Sequence, residues 1–141
     1  MGVVNFKDTK VYKLAFAQAM EIFTVSKSFP KEETYSLTDQ VRRSSRSVCT
    51  NLAEAYRKKI YPANFVSKIS DCDAENSETG VWFDFALACK YITSEQHNVF
   101  LLRNEEIGRL LNHMRHNPVN IKNVKSLLNA FCILPFVNCQ L

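Results

Sequence analysis

Apolar and polar positions alternate along this chain with the period of a helix rather than that of a strand. Between residues 37 and 57, Val41, Ser45, Val48, Leu52 and Ala55 recur at alternating four- and three-residue steps, so they share one narrow helical face. Arg42, Arg43, Arg46, Thr50 and Arg57 fall on a different face. A small-residue seam beside a basic stripe predicts a helix that packs tightly on one side and meets something anionic on the other.

The same period runs through three further segments. A first helix is expected from about Asp8 to Ser28, with Asp8 as its N-cap and Val11, Leu14, Ala15, Ala19, Ile22 and Val25 as its apolar stripe. Gln18 is the polar interruption of that stripe. Phe29-Pro30-Lys31 ends the helix, because the residue before a proline disfavours the α region. The second helix starts near Ser36 or Leu37 and continues to about Lys59. Pro62 opens the third, since proline is well tolerated in a first helical turn, and it runs to about Tyr91. The fourth opens at Thr93 with Gln96 three residues on, the spacing of a capping box, and Pro118 stops it after Asn117. Phe100, Ile107, Leu110, Leu111 and Met114 supply its core face.

Short connections make sequential helices antiparallel neighbours. The expected fold is therefore all-α, an antiparallel up-down-up-down four-helix bundle over residues 1–118 with a C-terminal extension over 119–141. In the extension, Ile121, Val124, Leu127, Leu128 and Phe131 suit a fifth short helix, and residues 133–141 are apolar without a firm period.

Composition narrows this picture further. A length of 141 residues suits one domain with a real core. Three glycines and four prolines are too few for the turns of an all-β fold. The net charge of +4 permits contact with nucleic acid without demanding it. Five cysteines, an odd number with no CxxC pair, suggest neither a disulfide framework nor a zinc site. Cys49, Cys72 and Cys89 lie within helical patterns and read as small buried residues in a reducing compartment. No run approaches the roughly 20 apolar residues of a membrane span, and residues 1–10 have no apolar core of signal-peptide length. The expected location is cytoplasmic, without membrane contact.

Catalytic chemistry finds little to stand on. The paired Glu-x-x-His motifs that hold metal in bundles are absent from the sequence. His113 and His116 share a face but have no nearby carboxylate partner, and read as a solvated helix end. Gly2, Gly80 and Gly108 are isolated, so no phosphate-cradling loop exists, and no GxSxG context occurs. No enzyme, metal or cofactor is expected.

Charge points elsewhere. Asp71, Asp73, Glu75, Glu78 and Asp84 lie on the third helix, with Glu75 and Glu78 on one side. These two read as structural ion-pair partners of arginines on the second helix, with Glu78 in a buried pair. That pairing competes with a nucleic-acid role for Arg42 and Arg43, and the two roles stand as equal alternatives there. Arg46 and Arg57 point farther from the apolar seam than Arg42 does. With Thr50, Lys58 and Lys59 they complete the candidate nucleic-acid face. Arg57-Lys58-Lys59 also has a purely structural explanation, because cations favour a helix C-terminus. Tyr56 and Tyr61 flank this cluster, placed to stack on unpaired bases or simply to pack.

Four stretches carry a family resemblance. They are residues 29–38 (Phe29-Pro30-Lys31 to Thr38), Gln40-Val41-Arg42-Arg43-Ser44-Ser45 with Asn51-Leu52-Ala53-Glu54-Ala55, Glu75-Asn76-Ser77-Glu78-Thr79 with Trp82 to Ile92, and Glu106-Ile107-Gly108-Arg109-Leu110-Leu111. In this combination and order the chain resembles the bacterial four-helix-bundle family first noted in intervening sequences of large-subunit ribosomal RNA genes. The resemblance implies a bundle that assembles as a ring, a homopentamer. It also implies kinship with the accessory variability determinant of diversity-generating retroelements, a basic pentamer that binds nucleic acid and works with a reverse transcriptase. Ten phenylalanines and five tyrosines, more than four slim helices easily hide, agree with self-association.

The chain departs from the family pattern at three places. Ala55-Tyr56 stands where glycine is usual, so the second helix is expected to run on unbroken. Gly80 replaces a longer polar residue, at about 1 kcal/mol relative to alanine inside a helix. Residues 119–141 have no counterpart in the pattern. The expected function is a non-enzymatic homo-oligomer that binds nucleic acid, specifically structured RNA or an RNA–protein complex, through the basic face. The alternative is a scaffold whose basic face meets an acidic protein partner.

Overall fold

A computed structural model describes residues 5–118. It contains four α-helices: α1 (Lys10–Val25), α2 (Leu37–Arg57), α3 (Pro62–Ala88) and α4 (Ser94–His116). The described residues contain no strand, and the helices form the expected antiparallel four-helix bundle. The extension over 119–141, its expected fifth helix, Cys132 and Cys139 lie outside the described residues. No described helix is long and apolar enough to cross a membrane.

Several helix ends differ from expectation, each for a local reason. Thr9, not Asp8, caps α1, its hydroxyl accepting the Tyr12 N–H at 3.3 Å. Asp8 belongs instead to a preceding 3-10 turn capped by Asn5. The last expected turn of α1 tightens into a second 3-10 turn over Ser26–Ser28. Helix α2 passes unbroken through Ala55-Tyr56 but stops at Arg57, where the Lys58 N–H reaches the carbonyls of both Glu54 and Ala55. Helix α3 stops at Ala88, three residues before Tyr91. There Lys90 adopts the left-handed conformation at φ 61°, and the Lys90 and Tyr91 N–H groups bond back to Leu87 and Ala86. This is the Schellman arrangement, which satisfies carbonyls that a helix end otherwise leaves open. The capping box of α4 forms as expected, with Gln96 N–H to Thr93 Oγ1 at 3.2 Å and Thr93 N–H to Gln96 Oε1 at 2.9 Å.

The core has two apolar halves with a polar layer between them. One half joins Val11, Val48, Leu52, Phe65, Ile69, Ile107 and Leu111. The other joins Ile22, Leu37, Val41, Phe83 and Phe100, with the Phe83 and Phe100 rings stacked at 4.5 Å. Between them every helix contributes a buried polar side chain: Gln18, Ser44, Asn76, Thr79 and Asn104. Gln18 donates to Asn104 Oδ1 at 3.0 Å, Asn76 to the Asn104 carbonyl at 2.9 Å, and Thr79 to Ser44 Oγ at 2.8 Å. An axial slip of one helix would strand these groups without partners, so the layer fixes register. Gly80 belongs to the same layer, because a Cβ there would lie 2.9 Å from Asn104 Nδ2.

Candidate nucleic-acid interface

Helix α2 presents two chemically different sides. Toward α3, the guanidinium of Arg43 is taken up by carboxylates. Its Nη1 lies 3.3 Å from both Glu75 oxygens, its Nη2 donates to Glu78, and its Nε donates to Gln40 Oε1 at 3.2 Å. The Glu78 hydrogen bond is the strongest influence holding Arg43 protonated, with the Glu75 charge adding to it and burial opposing. Burial pushes the Glu78 carboxyl upward, but the Trp82 indole N–H and Arg43 outweigh it, so the group sits below its ordinary value.

Glu75 and Glu78 form ion pairs with one arginine of α2, Arg43, but the burial expected of the Glu78 pair is absent. The side chains of Arg43 and Glu78 are 44% and 37% exposed. The reason is positional: both residues sit on the outer rim of the α2–α3 seam, while Ser44 and Thr79 occupy its interior. Solvent screens such a pair and reduces its contribution to about 0–1 kcal/mol.

Toward α1 the arginines have no carboxylate partner among the described residues. Arg42 donates through Nε to Ser26 Oγ at 2.7 Å. Its guanidinium lies 5.1 Å from the centre of the Phe23 ring, that of Arg46 at 5.8 Å, and the Lys27 ammonium at 4.6 Å. Asp39, Arg42, Arg43, Arg46, Ser47 and Thr50, all on α2, line an open surface groove of about 450 Å³ between these two sides. Asp39 is the one carboxylate among these lining residues, beside three arginines, and forms no ion pair with them. The Thr50 hydroxyl donates to the Ser47 carbonyl at 3.1 Å, leaving its lone pairs, rather than its proton, toward solvent.

Arg46 and Arg57 are exposed on the same unbroken helix, eleven residues apart. That spacing is about 16 Å along the axis and returns to the same side. Lys58 is exposed beyond the helix end. Lys59 is half-buried over the Tyr56 ring at 5.1 Å, and burial lowers its amine. Tyr56 itself packs against Phe6 and Phe65, and burial raises its phenol, so it serves the core; Tyr61 is exposed.

Ser26, Lys27 and Phe23 were missed by sequence reasoning. Their available clue was spacing: Phe23 follows Tyr12, Phe16 and Met20 on one stripe of α1, beside the core stripe.

The acidic residues of α3 do not converge. Asp71 pairs with Lys68, which also reaches Glu54, and Asp84 Oδ1 lies 2.8 Å from the His97 ring Nε2. Among the described residues no group of three or more His, Cys, Asp or Glu is placed to hold a metal ion. Burial pushes the Cys49 thiol up to about 11 and, with help from Asp71, the Cys72 thiol up to about 12. Neither is a ready nucleophile near neutrality.

Fold and surface together define an all-helical bundle protein with one basic and one charge-paired side to its second helix. Residues 7–113 match the model of the 23S rRNA-intervening sequence protein family, and the chain belongs to that family. It is similar in structure to a protein of unknown function from the S23 ribosomal protein family of Bacteroides thetaiotaomicron VPI-5482, solved by crystallography. The two superpose with a TM-score of 0.70 at 27% identity, over 78% of this chain and 98% of the other. No curated protein matches the chain.

Proposed function

We propose that this chain is a non-enzymatic, homo-oligomeric bundle that binds RNA through the α1-facing side of α2. The observation that carries this reading is that, of the three arginines lining one open groove, Arg43 is held by two carboxylates while Arg42 and Arg46 have no ion pair among the described residues. Guanidinium groups so placed suit phosphate oxygens. The description of the family, an intervening-sequence protein of 23S rRNA, favours RNA as the anion. Oligomerisation is supported by Val81 and Phe85 on α3 and Val99, Leu101 and Leu102 on α4, which an isolated chain leaves exposed. The family resemblance makes that oligomer a pentamer. The kinship with the retroelement accessory protein makes a reverse transcriptase the proposed protein partner. Light scattering checks the assembly: a monomer mass at micromolar concentration rejects it.

A gel-shift titration across salt tests binding. The wild type binds structured RNA with micromolar or tighter affinity at low salt and loses it steeply as salt rises, because each neutralised phosphate releases condensed counterions. The double variant Arg46→Glu with Arg57→Glu keeps its helical circular dichroism and loses RNA. Absence of wild-type binding, or unchanged binding by the folded variant, rejects the site. Capture of polyglutamate by a wild type that ignores RNA would favour the acidic-partner alternative.

A further inference from the structure

We infer that the seam between α1 and α2 is a stacking track for unpaired bases of single-stranded RNA, with Phe16 as its open platform. This rests on the RNA-binding reading and adds the class of RNA. Tyr12, Phe16, Met20 and Phe23 recur along α1 beside its core stripe. Phe16 and Met20 are 50% and 49% exposed, a conspicuous apolar surface for a helix that has a full core face elsewhere. The rings form a continuous series. Phe16 stacks on Tyr12 at 6.0 Å with an interplanar angle of 23°, Tyr12 meets Phe6 at 5.2 Å, and Phe6 meets Tyr56 on α2 at 6.1 Å.

Cations lie beyond both ends of this series, those at the α1 end around Phe23, which Met20 separates from Phe16 along the helix. Lys27, Arg42 and Arg46 surround Phe23 at one end, and Lys59 covers Tyr56 at the other, next in sequence to Arg57 and Lys58. Aromatic faces between rows of cations suit a single strand, whose bases stack on rings while its phosphates meet the charges. A duplex hides its base faces and can use only the cations. A contact that pairs this seam with the same seam of a second copy would press these cations together, which is unfavourable; a ring contact with a different face of a neighbour is the outcome that the assembled mass of Phe16→Ser reads. A single strand is therefore the occupant that charge complementarity selects.

The test uses two probes, a single-stranded oligoadenylate RNA of about 12 nucleotides and a blunt RNA duplex of the same length, with the full chain. The wild type binds the single strand more tightly than the duplex. Phe16→Ser weakens the single strand about 10-fold, the effect of losing one stacked base, and leaves duplex binding and the salt slope unchanged. Phe16→Trp restores single-strand affinity, and its added indole emission is quenched by the single strand and not by the duplex. Equal affinity for both probes, with no effect of Phe16→Ser, overturns the inference and leaves the proposed function standing. Loss of assembled mass in Phe16→Ser with RNA binding intact assigns the track to a contact between copies and also overturns it. Failure of the wild type to bind either probe overturns the inference, and failure to bind structured RNA as well removes the proposed function itself.

Discussion

Arg42 and Arg43 are neighbours in sequence and differ in almost every physical respect. A step of one residue turns about 100° around a helix, enough to carry one guanidinium toward α1 and the next toward α3. On the α3 side Arg43 meets Glu75 and Glu78. On the α1 side Arg42 meets a serine hydroxyl and the Phe23 ring, neither of which cancels its charge. The lesson is that a basic stripe is not a functional unit. What the neighbouring helix offers decides which of its charges remain available to a ligand.

The largest expected effect lies on the α1 side. Arg42→Glu with Arg46→Glu should weaken RNA binding by about 100-fold or more, since hydrogen bonds to charged groups contribute roughly 1.5–3 kcal/mol each. A gel shift at constant salt measures it, and the variant should retain its melting temperature within a few degrees.

Next comes the interior of the α3 side. Thr79→Val keeps the volume but leaves buried Ser44 without the hydroxyl 2.8 Å away. Urea denaturation should show a loss of about 1–2 kcal/mol, with RNA affinity unaffected. A larger effect on binding than on stability would contradict the division between the two sides.

A gentler perturbation works on the rim. Glu75→Gln with Glu78→Gln removes both carboxylate charges that face Arg43 at little cost to stability, about 0–1 kcal/mol for so exposed a pair. It releases one more guanidinium beside the groove. RNA affinity at low salt should rise about 3- to 10-fold, by one added phosphate contact. Unchanged affinity would show that Arg43, even when released, does not reach the ligand.

The smallest effect is on pH dependence. The carboxyls of Glu78 and Glu106 are held below the ordinary value of 4.5, Glu106 chiefly by its hydrogen bond from Lys10. A carboxyl depressed in the folded state binds protons less readily there than in the unfolded chain. Its contribution is complete above about pH 4.5 and drains as pH falls through the folded value. Thermal melts should thus be flat in this respect near neutrality and decline under acid, and a rise in stability on acidification would contradict the pairing.

Much of the bundle was legible because helical periodicity and end signals are local. The Thr93–Gln96 box, Pro62 as a first-turn residue and the core face Val41, Ser45, Val48, Leu52 and Ala55 all stand as the residue pattern implies. The stop at Ala88 was not legible, because it depends on Lys90 entering a left-handed conformation that lysine seldom adopts. Nor was the polar layer: Gln18 reads as an interruption until Asn104, on another helix, is seen to accept its hydrogen bond. The site was half legible. The wheel separates the arginines from the core, but Phe23, Ser26 and Lys27 sit beside them only through the packing of α1 on α2. No spacing within α2 could reveal that.

The central claim, that the α1 side of α2 meets phosphate while the α3 side is structural, is tested most directly by comparing salt slopes. Affinity for single-stranded RNA is measured at several salt concentrations for the wild type, Arg43→Gln, and Arg42→Gln with Arg46→Gln. Each lost contact with a single strand lowers the slope of log affinity against log salt by about 0.7. The account predicts a slope reduced by about 1.4 in the double variant, two such contacts, and unchanged in Arg43→Gln. A slope reduced by Arg43→Gln and untouched by the double variant would contradict it.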